Sequence, residues 1–132
     1  MKFIEKLLSR NSYDIGKQAE NEAVKILKRM KYEIIARNFY TRLGEIDIVA
    51  RDGEYICFVE VRMRKNNKFG SPADTIDIHK QRKIINTAKV YAAKNGIYDT
   101  PMRFDAVLIN GDTEHGKLHN IKAEVIKDAF RL

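Results

Sequence analysis

Acidic side chains interrupt an otherwise apolar stretch between residues 44 and 64. Asp47 and Glu60 lie in two apolar runs that can pair as adjacent strands, and Glu45 adds a third carboxylate nearby. Carboxylates crowded at the edge of a core repel one another and tend to become protonated unless a positive group is present. Arg62 and a hard divalent ion held by oxygen ligands are the two candidates for that group. The alternative is a solvated charged face made of ordinary surface residues.

The two apolar runs are joined by Asp52-Gly53, which is typical of a two-residue hairpin turn with both central residues at positive φ. This turn would place Glu45 opposite Glu60 and Asp47 diagonal to Glu60, at about 7–8 Å between backbones. Apolar residues on both faces are typical of a strand pair at the centre of a helix-flanked sheet. Alternation predicts one face with Glu45, Asp47, Val49, Ile56, Phe58, Glu60 and Arg62, and the other with Ile46, Ile48, Cys57, Val59 and Val61.

Two helices are predicted to cover this sheet. The first is capped by Asn11 or Ser12 and runs to about Met30, behind a short helix over residues 3–8, and Glu20 falls at the margin of its apolar stripe. Glu20 can therefore face the sheet, although a charged residue beside a stripe is often merely solvated. The second helix begins after Ser71-Pro72 or at Asp77 and ends at Asn95 before Gly96. Its stripe is predicted to contain Ile78, Gln81, Ile84, Ile85, Ala88, Tyr91 and Ala92, with Lys80 at the margin.

Gln81 is the one amide in the stripe of the second helix, so it needs hydrogen-bond partners. The open end of the central hairpin is the expected source of them. The remaining segments predict a strand over residues 32–37, a connection over 38–43, a strand over 102–110, a turn at 110–112 and an edge strand over 119–126. These elements predict an α/β fold with a central mixed β-sheet flanked by helices, in a single domain spanning residues 1–132.

The formal charge of +7 and the pI near 9.5 favour a polyanionic partner. Cys57 lies in an apolar strand and is predicted to be a buried hydrophobe in a reducing cytoplasm. The first ten residues match neither a signal peptide nor a membrane span, because Glu5 and Lys6 interrupt them. Glu114, His115 and His119 have sparse metal-like spacing, but exposed histidines in a turn are the favoured interpretation. Basic residues expected around the acidic centre are Arg62, Arg64, Lys65, Lys68, Lys80, Arg82 and Lys83.

The order of the acidic residues resembles that of the PD-(D/E)xK nuclease superfamily: a glutamate on the first helix, an aspartate on a strand and then Glu60-Val61-Arg62. Arginine stands where lysine is most usual in that superfamily. Over nearly the whole chain the sequence resembles the bacterial YraN family, which is similar to archaeal Holliday-junction resolvases and in which arginine at this position is an accepted variant. The residues that carry this resemblance are Gly16 and Glu20, Arg37-Asn38, Gly44 to Asp47, Phe58 to Arg62 with Arg64, Phe69-Gly70, Lys80-Gln81, Arg103 to Asp105 and Ile126 to Phe130.

The resemblance implies a restriction-endonuclease-like fold and a metal-dependent endonuclease acting on nucleic acid, with DNA and branched DNA as the expected substrates. Phosphodiester hydrolysis needs an activated water and neutralisation of the phosphoryl charge, and Mg²⁺ or Mn²⁺ can supply both. Asp47 and Glu60 are the expected direct ligands, with the Val61 carbonyl as a third and Glu20 acting through water or on a second ion.

Arg62 would hold the phosphate, and because guanidinium stays protonated it cannot serve as a general base. Glu20 is one candidate for activating the metal-bound water, and Gln81 would orient that water. Residues expected to hold nucleic-acid phosphates are Arg64, Lys65, Lys68, Lys80, Arg82 and Lys83.

Two other functions remain open from the sequence. The chain can be a nucleic-acid binder that kept the scaffold without turnover, or a protein-interaction module whose charges serve solubility. A homodimer is compatible with either, and no membrane partner is expected. Salt dependence separates the endonuclease and the nucleic-acid binder from the protein-interaction module. Phosphate contacts weaken steeply as salt is added, whereas apolar interfaces do not.

Overall fold

A computed structural model describes residues 2–64 and 76–131, and within them the side chains of 14–64 and 76–131. A five-stranded sheet has the strand order β1-β2-β3-β4-β5, in which β3 and β4 are parallel and the other neighbours are antiparallel. The predicted α/β class with a mixed sheet is confirmed. The elements are α1 (Lys2–Arg29), β1 (Glu33–Thr41), β2 (Gly44–Asp52), β3 (Tyr55–Met63), α2 (Ile78–Lys94), β4 (Met102–Glu114) and β5 (Lys117–Ile126).

The two faces of the sheet are covered by different helices. Ala19, Ala23 and Leu27 of α1 pack in one core cluster, and Ile84 and Ala88 of α2 pack in the other. The central strands contribute to both clusters, as predicted for a strand pair that is covered on both sides. Strand residues in the α1 cluster include Ile48, Cys57, Val59 and Val107, and those in the α2 cluster include Ile46, Val49, Ile56, Phe58 and Ala106.

The predicted Asp52-Gly53 turn is wrong by one position. Asp52 pairs with Tyr55, so Gly53 and Glu54 form the turn, and Gly53 has a φ of 60°. A turn that needs positive φ only at its first central residue requires glycine only there, which lets Asp52 remain in the strand. The pairing therefore shifts by two residues and joins Val49 to Phe58. A two-residue shift preserves the parity of every side chain, so the predicted division into faces survives for the apolar residues from Ile48 to Val61. It is wrong for residues 45–47, because Ile46 packs on the α2 side and Glu45 and Asp47 lie on the α1 side.

Helix α1 is continuous, so the predicted start at Asn11 or Ser12 and the separate short helix are wrong. No glycine or proline interrupts residues 2–15, and one polar pair cannot end a helix that strong helix formers flank. In α2, Asp77 is the N-cap and accepts a hydrogen bond from the Lys80 backbone N–H at 2.9 Å. Ile78 follows that cap and is mainly exposed, contrary to its predicted place in the apolar stripe. Ser71-Pro72 lies outside the described residues.

Strands β1 and β4 continue beyond their predicted carboxyl ends, and β5 begins two residues before its predicted start. Strand β1 continues through Asn38, which has a φ of 55°, and the connection to β2 is only the two residues 42–43. Strand β4 continues past the predicted turn at residues 110–112 through an irregularity in its pairing with β5. A Cβ on Gly111 would lie 3.0 Å from the His119 carbonyl, so any larger residue there would push the facing strand away. The turn lies instead at His115 and Gly116, both at positive φ.

Two expectations concern burial and membranes. Cys57 is fully buried, as predicted, and burial raises the pKa of its thiol to about 12. A thiol with that pKa stays protonated at neutral pH, which agrees with its predicted role as a small hydrophobe. None of the helices that the structure describes is long and apolar enough to cross a bilayer.

Candidate functional site

Asp47 lies where the alternation of β2 breaks. Ile46 packs in the α2 cluster and Ile48 in the α1 cluster, although two residues of equal parity normally share a face. The same break occurs in the neighbouring strand at Asn38, where positive φ turns the chain. Phe39 packs with the α2 cluster, whereas Arg37 reaches the Glu20 side chain of α1.

The backbone pairing of β2 with β3 ends beside Asp47, at Ile48 and Val59. Beyond that point the Asp47 carboxylate accepts a hydrogen bond from the Val61 backbone N–H at 2.8 Å. Backbone N–H groups near a core need an acceptor, and here a side chain supplies it. This contact fixes the Asp47 carboxylate at the opening between the two strands.

Glu60 is 4% exposed and is in hydrogen-bonding contact with Asp47. Two cations approach its Oε1 atom: Lys80 Nζ at 3.7 Å and Arg62 Nη1 at 3.9 Å. Burial, followed by the charge of Asp47, raises the pKa of Glu60 to about 8, although the two cations act in the opposite direction. The structure thus brings together Asp47, Glu60 and Arg62, and adds Lys80 to them.

Burial also raises the pKa of Asp47, to about 6. The hydrogen bond from Val61 opposes this rise, and the negative charges of Glu45 and Glu20 add to it. With Glu60 titrating near 8, the pair retains a proton at neutral pH. The pair is therefore short of positive charge despite its two neighbouring cations.

Glu20 faces the sheet from α1 and is 8% exposed. Its Oε1 atom accepts hydrogen bonds from Arg37 Nε at 3.0 Å and Nη2 at 2.9 Å, and from Asn38 Nδ2 at 3.1 Å. Lys17 Nζ is 3.9 Å from the same oxygen. Within the described residues, no three histidine, cysteine, aspartate or glutamate side chains are grouped so that they could together hold a metal ion. Glu20 lies across a cavity from Asp47 rather than against the pair.

That cavity has a volume of about 310 Å³ and lies between α1 and the ends of β1, β2 and β3. We name it the α1 cavity. Its lining residues are Gly16, Lys17, Ala19, Glu20, Asn38, Tyr40, Glu45, Asp47, Val61 and Met63.

Gln81 and the predicted phosphate-binding residues lie in several different environments. Gln81 is half-buried, but its Nε2 donates to the Ile76 carbonyl at 2.8 Å, so its partner is not the hairpin end that was expected. Arg82 and Lys83 are exposed on α2. Arg64 is mainly buried, and its guanidinium lies 3.7 Å from the Glu124 carboxylate on β5. Lys65 and Lys68 lie outside the described residues.

Sequence reasoning missed the Arg37 contact with Glu20 because it ended β1 at residue 37 and so lost the alternation beyond it. Phe39, Tyr40 and Thr41 are all residues that favour strands, and they were the available signal. Lys80 was expected among the basic residues around the acidic centre and in phosphate binding, and the structure places its Nζ 3.7 Å from the Glu60 carboxylate. The position of Lys80 at the margin of the α2 stripe was the available signal, but it did not identify Glu60 as the partner.

A second ionic cluster, around Arg103, lies at the opposite end of the central strands. The Arg103 guanidinium donates to Asp105 at 2.8 Å, to Asp52 at 2.7 Å and to the Tyr32 hydroxyl at 3.0 Å. Asp105 is fully buried and also accepts from Tyr32 at 2.8 Å. Burial and the Asp105 hydrogen bond strongly raise the pKa of Tyr32. Because every group here is paired to a neighbour, this cluster is structural: it joins the end of β2, the start of β4 and Tyr32, which precedes β1.

Comparison with known proteins identifies the family of the chain. The family described as "Uncharacterised protein family UPF0102" matches residues 19–109. The chain belongs to the UPF0102 family. A UPF0102 protein of Acetivibrio thermocellus is 40% identical over 121 residues, covering 91% of this chain and 93% of its own. One of Lachnoclostridium phytofermentans is 50% identical over 95 residues, covering 71% and 80%, and one of Hahella chejuensis is 44% identical over 99 residues, covering 75% and 80%.

The UPF0102 match agrees with the bacterial family that the sequence resembled. The match begins at Ala19 of α1 and ends at Ile109 within β4, so it contains Glu20, Asp47, Glu60 and Arg62. The names of these UPF0102 relatives state no activity.

Proposed function

We propose that this UPF0102 protein is a divalent-metal-dependent endonuclease with a restriction-endonuclease-like fold and a PD-(D/E)xK arrangement. It hydrolyses phosphodiester bonds in nucleic acid, with DNA, including branched DNA, as its substrate. The observation that carries the proposal is the contact between the carboxyl groups of half-buried Asp47 and buried Glu60, whose pKa values burial raises, with Lys80 and Arg62 beside Glu60.

The donor set of the pair fits a hard cation. Carboxylate oxygens are the preferred ligands of Mg²⁺ and Mn²⁺, and two of them converge where a positive charge is lacking. Asp47 and Glu60 would hold the ion, with the Val61 carbonyl as a third ligand. When bound, such an ion supplies an activated water and neutralises charge on the phosphoryl group.

The chain's own residues contribute binding and orientation. Arg62 and Lys80 lie within 4 Å of Glu60 and present two cations where the phosphate would sit. The Arg62 guanidinium remains protonated, so it stabilises developing negative charge without exchanging protons. Glu20, held by Arg37 and Asn38, faces Asp47 across the α1 cavity and can accept a proton from water there.

The wider charge distribution suits a polyanion. The formal charge is +7, and Arg82 and Lys83 are exposed on the helix that also carries Lys80. Contacts of exposed cations with phosphates are insensitive to sequence and weaken with salt. We therefore expect salt-sensitive binding that depends on the α2 cations.

A second candidate function is nucleic-acid binding without turnover. One observation favours it: Glu60 already has Lys80 and Arg62 beside it, and Glu20 already has Arg37. A scaffold with its carboxylates partly neutralised from within does not need a metal ion to fold. Cleavage assays distinguish the two candidates.

Labelled linear, flapped and four-way DNA, and the corresponding RNA, should be incubated with and without Mg²⁺ or Mn²⁺. Wild-type protein should cleave DNA only with metal. Asp47→Asn keeps the side-chain shape but removes a metal ligand, so it should abolish cleavage and weaken divalent-ion binding. Asp99→Asn, an exposed loop position, is the matched control and should cleave normally.

Arg62 variants test the phosphate clamp. Arg62→Lys keeps a cation and should retain activity or increase it, whereas Arg62→Ala should lose turnover. If wild type binds nucleic acid in a salt-sensitive way but cleaves none of the substrates, the endonuclease proposal is wrong and the second candidate, nucleic-acid binding without turnover, is supported. Binding that is absent or insensitive to salt would eliminate both candidates.

A further inference from the structure

The α1 cavity opens beside Asp47, and of its lining the proposed reaction uses only Glu20, Asp47 and Val61, not Gly16, Tyr40 or Met63. Its volume of about 310 Å³ is at the lower end of the range of small-molecule pockets, about 300–1,000 Å³. Gly16 of α1 forms one wall and Tyr40 of β1 another. A cavity of this size can receive one flat aromatic group.

Gly16 removes a side chain from the wall of the α1 cavity without serving the fold. Glycine is unfavourable inside a helix because it gains conformational freedom on unfolding. No described atom lies within 4 Å of the position that a Cβ on Gly16 would occupy, so close packing does not exclude a larger residue. Glycine here keeps the cavity wide.

Tyr40 supplies an aromatic surface to the same cavity. It is 67% exposed, and Met63, also partly exposed, lies with it in the lining. Exposed aromatic side chains beside nucleic-acid sites stack on unpaired bases, whichever base is present. A soft thioether next to the ring suits the same kind of ligand.

Charge decides which part of a nucleotide fits. Three carboxylates, Glu20, Glu45 and Asp47, line the cavity. Arg37 and Lys17 offset Glu20, and the described lining residues supply no cation for Glu45 and Asp47. This excess of negative charge repels phosphate but accepts hydrogen bonds from the amino groups of a base. The preferred occupant is therefore an uncharged nucleobase, and the phosphate lies on the Arg62 and Lys80 side.

We propose that the α1 cavity receives an unpaired nucleobase adjacent to the phosphate that Arg62 and Lys80 hold beside Glu60. The proposal rests on the proposed action on nucleic acid and names its substrate class: strands that carry an unpaired nucleotide. A base within a duplex is stacked and paired, so it must leave the helix before it can enter such a cavity. An overhang, flap or gap presents it directly.

The test is binding, measured by fluorescence anisotropy in EDTA so that no cleavage occurs. Three labelled DNAs are compared: a duplex with a single-stranded overhang, the same duplex fully paired, and the overhang duplex with abasic sugars in the overhang. Wild type should prefer the first over both others. The abasic overhang keeps the phosphates and removes the bases, so it isolates the contribution of the cavity.

Two kinds of variant probe the α1 cavity. Tyr40→Ala should weaken binding to the overhang by about 5- to 100-fold and leave the paired duplex within about twofold, while Tyr40→Phe keeps the ring and should bind as wild type does. Tyr98→Ala, at a tyrosine that is 80% exposed but does not line the cavity, is the control. Gly16→Leu fills the cavity, so it should remove the preference for the overhang while raising Tm by a few degrees.

The outcomes separate this proposal from the proposed function. If the abasic overhang binds as well as the normal one, or Gly16→Leu raises Tm with the preference intact, the base pocket is wrong although nucleic-acid binding stands. An equal effect of Tyr40→Ala and Tyr98→Ala also contradicts it. A wild-type protein that binds none of the three DNAs overturns both. If wild type shows the expected preference for the overhang but does not cleave DNA in Mg²⁺, the base-pocket proposal is supported and the endonuclease proposal is wrong.

Discussion

Replacing Glu60 by glutamine should stabilise the protein increasingly as the pH rises. In the folded protein the pKa of Glu60 is about 8, against an ordinary value of 4.5. Between these two values the folded state binds more protons than the unfolded state, so wild-type stability falls as the pH rises. Glutamine has nearly the shape of the protonated acid and does not titrate. Below about pH 4.5 the two proteins should therefore be similarly stable.

The size of the effect follows from the shift. At about 1.4 kcal/mol per pH unit, the free energy of unfolding of wild type should fall by about 2–4 kcal/mol relative to Glu60→Gln between about pH 5 and pH 8. The lower figure applies if Lys80 and Arg62 move closer to the ionised carboxylate, starting from 3.7 Å and 3.9 Å. Either value is a large part of the stability of a domain of this size.

Urea unfolding followed by circular dichroism, at intervals from about pH 5 to pH 9, measures this difference. Glu54→Gln, an exposed turn position, is the control and should follow wild type. Mg²⁺ at alkaline pH should raise the free energy of unfolding of wild type but not of Glu60→Gln, which lacks one of the metal ligands. A ligand stabilises only the folded protein that binds it. A difference between Glu60→Gln and wild type that stays constant with pH would refute the shared proton and, with it, the charge-deficient pair.

Three further predictions follow from other contacts. Gly44→Ala should lower the free energy of unfolding by about 1–3 kcal/mol, because its Cβ would lie 3.1 Å from Thr87 Oγ1; unchanged urea unfolding would contradict this packing. Asp105→Asn should cost about 3–5 kcal/mol by leaving the Arg103 guanidinium without its buried carboxylate, and a loss below about 1 kcal/mol would reassign that cluster to the surface. Divalent-ion affinity should rise between about pH 6 and pH 8 as the shared proton leaves Glu60, with a calorimetric heat that depends on the buffer; a heat independent of buffer would show that no proton is released.

The central hairpin was the part of the fold most accessible from sequence. Alternation of apolar residues placed Val49 and Phe58 on one face and Cys57 and Val59 on the other, and an error of one position in the turn moved the register by two without changing that division. Periodicity is robust in this way because side chains alternate with a period of two. A register error of one residue would have separated Asp47 from Glu60.

The features that sequence could not supply depend on backbone irregularities and distant contacts. Positive φ at Asn38 reverses the alternation of β1, and no local rule requires an asparagine in a strand to adopt it. Arg103 and Asp105 appeared as ordinary strand residues, yet they form the centre of a network with Asp52 and Tyr32. Networks of this kind arise only when segments far apart in sequence meet, so propensity does not reveal them.

The order of strands has a consequence for how the protein folds. Strands β1, β2 and β3 follow one another with two-residue connections, whereas β4 joins β3 in parallel only after α2 has crossed, pairing Val59 with Asp105. Local pairings close small loops and form rapidly, while distant parallel pairings pay more loop-closure entropy and form late. We therefore expect Asp47 and Glu60 to meet in an early meander, before Lys80 arrives on α2. The two acids would then meet while this cation is still distant, so their repulsion would act on the folding barrier, and acid should accelerate folding more than it changes the rate of unfolding.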